Sequence, residues 1–473
     1  MKIIEAIING TNTLLWSYVL IIMLIGIGLY FTFRTKFVQF RMIPEMFRLL
    51  GEGVNADKKG ISSFQAFCIS TASRVGTGNL AGVAIAITTG GPGAVFWMWL
   101  IALIGSASAF IESTLAQIYK VKDGDTFRGG PAYYMERALN ARWMGIVFAV
   151  LISLTFGLAF NSVQANTITS ALNESFGINK VLIAVVLSVI TAIIIFGGLK
   201  SVAKVSEVIV PVMAGGYIII ALFIMIVNIT ELPSVIALIF KSAFGLSEVA
   251  GGALGAAMMN GIKRGLFSNE AGMGSAPNAA ATADVTHPVK QGLIQSFGVF
   301  VDTLLICSST AFIILFSGLY TSKESDGIVL TQNALDQLLG SWGGIFLAII
   351  VLLFCFSSVV GNYYYGETNI DFISTNKLWL NIYRIAVVAM VAFGSLASLS
   401  FVWSLADLMM GLMAIINMIA IVLLGHIAIK ALNDYIKQKK NGKNPVFHVS
   451  NIKGLKNVEA WGSLSDKENL DSK

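Results

Sequence analysis

Residues 73 to 79 read SRVGTGN, Ser73 to Asn79, in the middle of an apolar run from Ile61 to Thr89. An unbroken membrane helix has no use for an arginine, two glycines and an asparagine near mid-bilayer, where each unpaired polar group costs several kcal/mol. The stretch therefore predicts a helix broken at membrane depth. Such breaks are tolerated where the freed backbone lines a cavity or is buried in protein. A second run of the same kind, NGIKRGLFSNEAGMG from Asn260 to Gly274, again sets basic residues, glycines and asparagines inside apolar sequence and predicts a second break there.

The composition around these runs is that of a polytopic membrane protein: 56% of 473 residues are hydrophobic and 12% charged, too apolar for a soluble chain of this size. Taking about 20 apolar residues per crossing, eleven spans are predicted, near 14–33, 62–90, 92–120, 143–172, 181–198, 205–229, 250–283, 291–319, 343–372, 380–399 and 403–430. The first, Leu14 to Phe33, follows a single Lys2 and has no small-residue cleavage site, so it reads as a retained span. Cys68, Cys307 and Cys355 are far apart within apolar spans, which suggests small core residues and no disulfide or metal framework.

The net charge of +6 matters less than its placement. With the N-terminus outside, the inward loops hold Arg34, Lys36, Arg41, Arg48, Lys58 and Lys59, then Lys120, Lys122, Arg128, Arg137 and Arg142, with Lys200, Lys204, Lys290, Lys377 and Arg384 further on. The tail adds Lys437, Lys439, Lys440 and Lys443, whereas outward segments hold Lys2, Lys180, Lys241 and Lys323 beside Glu324, Asp326 and Asp336. This is a positive-inside pattern. Setting the first span aside leaves five from 62 to 229 and five from 250 to 430, and an odd count inverts the second five. Each five begins with a broken segment, the arrangement that in secondary transporters marks a central binding site. The divisions are 1–60, the first helix and its cytoplasmic loop; 61–230 and 231–432, two five-helix repeats; and 433–473, a tail read as cytoplasmic, partly disordered and near membrane lipid.

At the first break Gly76, Thr77, Gly78 and Asn79 expose backbone N–H groups at the start of a half-helix, a setting that binds a carboxylate. Carbonyls around Ala72 and Val75 lose their helical donors and can face a cation, with the hydroxyls of Ser357 and Ser358 completing an oxygen site. In FNSVQAN, Phe160 to Asn166, Asn161 and Gln164 share a helix face; Gln164 is expected to reach a solute and Asn166 to tie helices together. In the second break Phe267 and Met273 offer an apolar wall, and Ser268 and Asn269 polar groups. The intramembrane charges are Arg74, Lys263, Arg264, Glu112, Glu207, Glu270, Asp302, Glu367, Asp371 and Asp407. Pairing of Glu270 with Arg74 or Arg264 is expected, with a proton relay through Glu270 or Asp302 as the alternative. His287 and His426 read as surface groups at cytoplasmic helix ends. The spans hold no convergent nucleophile, base or metal motif for an enzyme and no filter-like loop for a channel.

The run GGPGAVFWMWLIALIG, Gly90 to Gly105, resembles the signature of the alanine or glycine:cation symporter family, the sodium:alanine symporters. GTGN at 76–79, GGPAYYM at 129–135 and KRGLFSNEAGMGSAPNAAA at 263–281 are similar to further family blocks, so the resemblance covers roughly residues 10–440. It implies a five-plus-five inverted-repeat fold like that of the bacterial leucine transporter, preceded by one helix, in the plasma (inner) membrane. On that analogy the carbonyls of Ala72 and Val75 and the hydroxyls of Ser357 and Ser358 hold sodium, the coupling ion. Alanine or glycine sets its carboxylate on the backbone of Thr77, Gly78 and Asn79, and Gln164 with the second break faces its amine and side chain. A proton-coupled carrier of the same solutes is the runner-up.

Overall fold

The computed structural model describes residues 2–54, 61–196, 199–245, 254–322 and 325–461. Lys58, Lys59, Lys323, Glu324 and the tail beyond Trp461 lie outside the described residues, as do the side chains of Lys200, Lys204 and Glu207.

Among the described residues seven helices are long and apolar enough to cross a membrane: Glu5–Arg34, Ala94–Ile118, Arg142–Phe176, Pro288–Ser317, Trp342–Ile373, Lys377–Leu396 and Leu399–Lys440. Counting the pair Pro211–Val227 and Leu232–Ala243, bent by 104°, gives an eighth. The shorter apolar helices Gly78–Gly90 and Lys180–Ile195 accompany them. The chain is mostly but not wholly helical. Val121–Asp123 and Thr126–Arg128 form an antiparallel hairpin around Gly124-Asp125, with Gly124 at φ of +56°, as a two-residue turn with glycine first favours.

The first break falls where the sequence placed it. Helix Ser63–Arg74 starts on a capping box between Ser62 and Gln65 and stops at Val75, whose backbone is extended at φ −80° and ψ 94°. The chain re-enters helix through π turns at Gly78–Gly82 and continues as Val83–Gly90.

The second break is displaced from its expected start. Asn260 to Asn269 is helical, the end of Leu254–Asn269, and the break is the segment from Glu270 to Ser275 ahead of Ala276–Thr282. Positive φ at Glu270 (57°), Gly272 (84°) and Gly274 (90°) turns the chain there. Gly261 and Gly265 serve close packing instead. A Cβ on Gly261 would lie 2.6 Å from Trp97 Cβ, and one on Gly265 would lie 2.7 Å from Ile101 Cγ2. Glycines four apart let helix Leu254–Asn269 lie directly on Ala94–Ile118, as small residues do in membrane helix pairs. The half-helices Ser63–Arg74 and Ala276–Thr282 also meet. Ile61 bridges Ala283 in parallel, with Asp284 N–H donating to Ile61 O at 3.0 Å.

The tail differs from its expectation as far as it is described. Helix Leu399–Lys440 carries the chain out, and residues 444–461 run back across that end of the bundle as a docked strap. Phe447 N–H donates to Thr286 O at 2.9 Å, Thr286 Oγ1 to Pro445 O at 2.9 Å, and Trp461 Nε1 to Gln117 O at 2.8 Å. Glu459 pairs with Arg137 at 2.8 Å. Phe447 and Ile452 are buried. A few well-placed apolar side chains outweigh the polar average that suggested disorder. His287 is likewise corrected: it is fully buried, 3.3 Å from Asp434 and edge-on to Tyr435 and Phe447. Burial holds its imidazole below the usual histidine range, against the opposing pull of Asp434. His426 is exposed.

Truncation of a buried phenylalanine costs about 3–5 kcal/mol, felt here as local release of the strap. Phe447→Ala is expected to raise amide exchange and protease cleavage across 444–461 while leaving the helices ahead of it protected. Equal protection of the strap in parent and variant would show that Phe447 does not anchor it.

Candidate functional site

The two broken spans lie directly against one another, Ser73 Oγ being 3.1 Å from Glu270 Oε1, and many of the backbone groups that the breaks free have a named partner. At the first break, Ser358 Oγ lies 2.9 Å from Ala72 O, 3.2 Å from Val75 O and 3.0 Å from Phe354 O. A hydroxyl carries one proton. Three carbonyl oxygens around it leave an excess of acceptors, the electrostatic signature of a site for a small hard cation. All its donors are oxygens, as such a cation prefers. Three of the four expected oxygen ligands thus converge. Ser357 does not: its hydroxyl donates to Phe354 O at 2.8 Å and faces Met213 Sδ at 3.7 Å. Among the described residues no group of three or more His, Cys, Asp or Glu side chains could hold a metal.

On the other side of the break the N–H groups meet side-chain oxygens. Thr77 N–H and Thr77 Oγ1 both donate to Gln164 Oε1, at 2.9 and 2.7 Å. Gly76 N–H donates to Asn79 Oδ1 at 2.9 Å. One amide oxygen therefore takes the paired donors that a carboxylate oxygen would use. Gly76 is required for this approach, since a Cβ there would lie 2.8 Å from Gln164 Oε1. Gly78 backs onto Phe267, whose Cδ1 would lie 2.9 Å from an added Cβ.

Asn161 sits apart from Gln164. It donates to Gly157 O at 3.2 Å and accepts from Asn362 Nδ2 at 3.1 Å. Ser73 Oγ lies 2.7 Å from Asn362 Oδ1 and 3.1 Å from Glu270 Oε1, so a polar chain runs from Asn161 to the second break. Asn166 binds Gly394 O and Ala397 O at 3.0 and 2.8 Å.

Just ahead of the second break Phe267 lies between Phe160 and Trp403, its ring tilted against both, with ring centroids 4.4 and 4.7 Å away. Ser268 Oγ donates to Asp302 Oδ2 at 2.7 Å, and Asn79 Nδ2 donates to Asp302 Oδ1 at 2.6 Å. One carboxylate on helix Pro288–Ser317 thereby joins the two breaks. Asn269 binds Thr303 Oγ1 and accepts from Ala271 N–H. Glu112 accepts from Gly272 N–H at 3.1 Å and from Asn417 Nδ2 at 2.7 Å, while the same Asn417 amide reaches Gly272 O. Met273 is fully buried within the turn, its N–H on Glu270 O.

The expected pairing of Glu270 with Arg74 or Arg264 is not formed. Glu270 holds the hydroxyls of Ser275 and Ser73, at 2.5 and 3.1 Å. Arg74 reaches Gln295 O and Oε1 at 3.3 Å each. Arg264 and Lys263 share Asp407 Oδ2 at 2.7 and 3.3 Å, with Arg264 over the Trp403 ring. Glu367 pairs with Arg384, and Asp371 with Arg128. Arg264 thus has its counter-charge in Asp407, whereas Arg74 and Glu270 are held by neutral partners, an amide group and two hydroxyls.

Several partners were not singled out from sequence. Asn362 lies four residues after Ser358 and so on the same face, a signal that was available. Asn417 and Thr303 support the second break from other helices, which no local spacing announces, and Glu112, named from sequence as an intramembrane charge, had no partner assigned. Two cysteines are more than packing: Cys355 Sγ lies 3.2 Å from Thr77 Oγ1, and Cys307 Sγ 3.1 Å from Ser268 Oγ.

The sodium:alanine symporter family model matches residues 1–449. The chain is 60% identical to the amino-acid carrier protein AlsT of Bacillus subtilis (strain 168), over 97% of each chain. It is 58% identical to the probable sodium/glutamine symporter GlnT of the same organism, over 100% of this chain and 99% of the other. To the sodium/alanine symporter AgcS of Methanococcus maripaludis it is 37% identical, over 92% of this chain and 98% of that one. Among solved structures, a mutant manganese transporter of Eremococcus coleocola shares the fold, with a TM-score of 0.50 at 14% identity over 80% of this chain and 81% of the other.

Asp407 is the shared counter-charge of two cations, one of them fully buried. Its removal leaves them unpaired, a change that costs about 3–5 kcal/mol when a buried pair is broken. Asp407→Asn is expected to lower the thermal midpoint of the purified protein well below that of Lys263→Met, which keeps the Arg264 pair. Equal midpoints would remove the case for Asp407 as the anchor of both.

Proposed function

Since the chain belongs to the sodium:alanine symporter family, we propose that it imports small neutral amino acids, alanine or glycine, together with sodium by alternating access. It is a multi-pass membrane transporter and not an enzyme. One observation carries the reading of the site: a single break presents an oxygen cage around Ser358 on one side and the paired donors of Thr77 on the other. A sodium ion and an amino-acid carboxylate are the ligands with that chemistry.

In this reading sodium sits among Ala72 O, Val75 O and Ser358 Oγ, with Ser357 adjacent through the shared Phe354 carbonyl. The solute carboxylate replaces Gln164 Oε1 on Thr77, beside Gly78 and Asn79, and Gln164 turns to the amine. Phe267, tilted against Phe160 and Trp403, and Met273 bound the small side chain. Ser268 and Asn161 hold the surrounding network. Coupling requires that both ligands prefer one state. An inside-negative potential adds about 2.3 kcal/mol per 100 mV for each sodium that enters.

The eleven-span count, the outside N-terminus and the division into repeats at 61–230 and 231–432 belong to the same proposal. Its support is an echo in element order. Helix Pro131–Leu139 lies between the second and third spans of the first half counted from its break, and helix Gly327–Leu339 in the matching place of the second.

Labelled alanine uptake into proteoliposomes tests the function, with a sodium gradient against a potassium control. Accumulation with sodium alone is expected, and competition by unlabelled glycine and glutamine ranks the solutes, one relative being named for glutamine. Losing one ligand to a charged group costs about 1.5–3 kcal/mol. Ser358→Ala is therefore expected to raise the half-saturating sodium concentration by roughly tenfold or more, and Ser357→Ala by less. Sodium-independent uptake, or the reverse order of the two serines, would overturn the ion assignment.

A further inference from the structure

Asp302 is fully buried in helix Pro288–Ser317, where π turns from Val301 to Cys307 widen the backbone and push its side chain toward both breaks. Its carboxylate takes Asn79 Nδ2 on Oδ1 at 2.6 Å, and Ser268 Oγ and Thr303 Oγ1 on Oδ2 at 2.7 and 3.0 Å. No cation lies within ion-pair distance of it among the described residues. The titratable and charged groups facing it are Cys307 on its own helix, Arg74 of the first broken span and Glu270 of the second break. Arg74 is held on Gln295 and Glu270 on Ser73 and Ser275. Arg264 and Lys263 are taken by Asp407, and Glu112 by Gly272 and Asn417.

We infer that Asp302 is a proton-binding site joining the two breaks, separate from the oxygen cage at Ser358, and that proton binding there is coupled to solute movement. The donors are built for both charge states. An amide nitrogen can only donate, so Oδ1 remains the acceptor of Asn79 whether or not the acid is charged. A hydroxyl can donate or accept. When a proton adds to Oδ2, the new O–H bond donates to Ser268 Oγ or Thr303 Oγ1, and that hydroxyl turns its own hydrogen elsewhere. Cys307 Sγ, 3.1 Å from Ser268 Oγ, is there to accept it. No polar atom is orphaned by either state, and the proton removes a buried charge that lacks a paired cation. A second sodium fits less well. Of the four side-chain oxygens that meet here, Ser268 Oγ and Thr303 Oγ1 are committed as donors to the carboxylate, and the Asn79 oxygen is committed to Gly76 N–H.

The placement gives the proton a route to both breaks. Asn79 ties Asp302 to the first, where its other atom holds Gly76, and Ser268 ties it to the end of the helix before the second. The charge on Asp302 sets how firmly those two ties are held, since hydrogen bonds to a charged acceptor are the stronger.

This inference rests on the transport reading above, which sodium-driven accumulation at one pH tests by itself. The further test is the initial rate of alanine uptake at saturating sodium over a pH series, with interior pH followed by a trapped dye. The parent protein is expected to change rate along a single-proton titration, by about fivefold or more, and to move protons with solute. Asp302→Asn keeps the size and hydrogen bonds of the neutral acid, and is expected to transport at a rate flat in pH without moving protons. Thr303→Val deletes one donor to the charged form and is expected to shift the titration to higher pH; it serves also if Asp302→Asn does not fold. A flat parent profile without proton movement, an Asp302→Asn profile equal to the parent's, or an unmoved midpoint in Thr303→Val would each overturn the proposal.

Discussion

Backbone amide and carbonyl groups cannot be left bare in an apolar interior, and the rest of this structure depends on that constraint. Two helices are cut at membrane depth, and the cuts free donors and acceptors that water does not reach. Some are answered within the broken span itself, Gly76 by Asn79 and Ala271 by Asn269, and others by side chains from other helices: Ser358 on Ala72 and Val75, Gln164 on Thr77, Glu112 on Gly272, Asn417 on Gly272. The buried carboxylates and amides that look costly in sequence are therefore the price of keeping two helices open. Their partners come from the helices that flank the breaks, so the site and the packing of the bundle are one arrangement.

The breaks are also asymmetric in what they offer. The first separates acceptors from donors along three residues, which suits a cation and an anion side by side. The second spends its donors and acceptors mainly on internal support, through Glu112, Asn269 and Ser275. It contributes shape, through Phe267, and a link to the first through Ser268 and Asp302. Binding chemistry and size selection thus fall on different chain segments.

Much of this was legible in the sequence because polar residues in apolar surroundings are rare and need a reason. Glycines beside an asparagine and an arginine placed the first break within Ser73 to Asn79, and Ala72, Val75, Ser357 and Ser358 followed from it, of which Ser357 does not join the others. The second break was read ten residues early at its start because Gly261 and Gly265 look like breakers, whereas their role is close packing on Ala94–Ile118. A glycine's meaning depends on which surface approaches it, and that is not local information. Ion pairing failed for the same reason: Asp407 lies 143 residues from its Arg264 partner, and no spacing rule connects them. The strap was missed because its anchors are three side chains among many polar ones, Phe447, Ile452 and Trp461.

The parallel bridge between Ile61 and Ala283 ties the start of half-helix Ser63–Arg74 to the end of half-helix Ala276–Thr282. Two rods joined at one end do not swing freely of one another. The pair has fewer degrees of freedom than its parts, and a load applied to either arrives at the same hinge. A solute that touches both breaks then acts on a common lever, whose arm is the length of one half-helix.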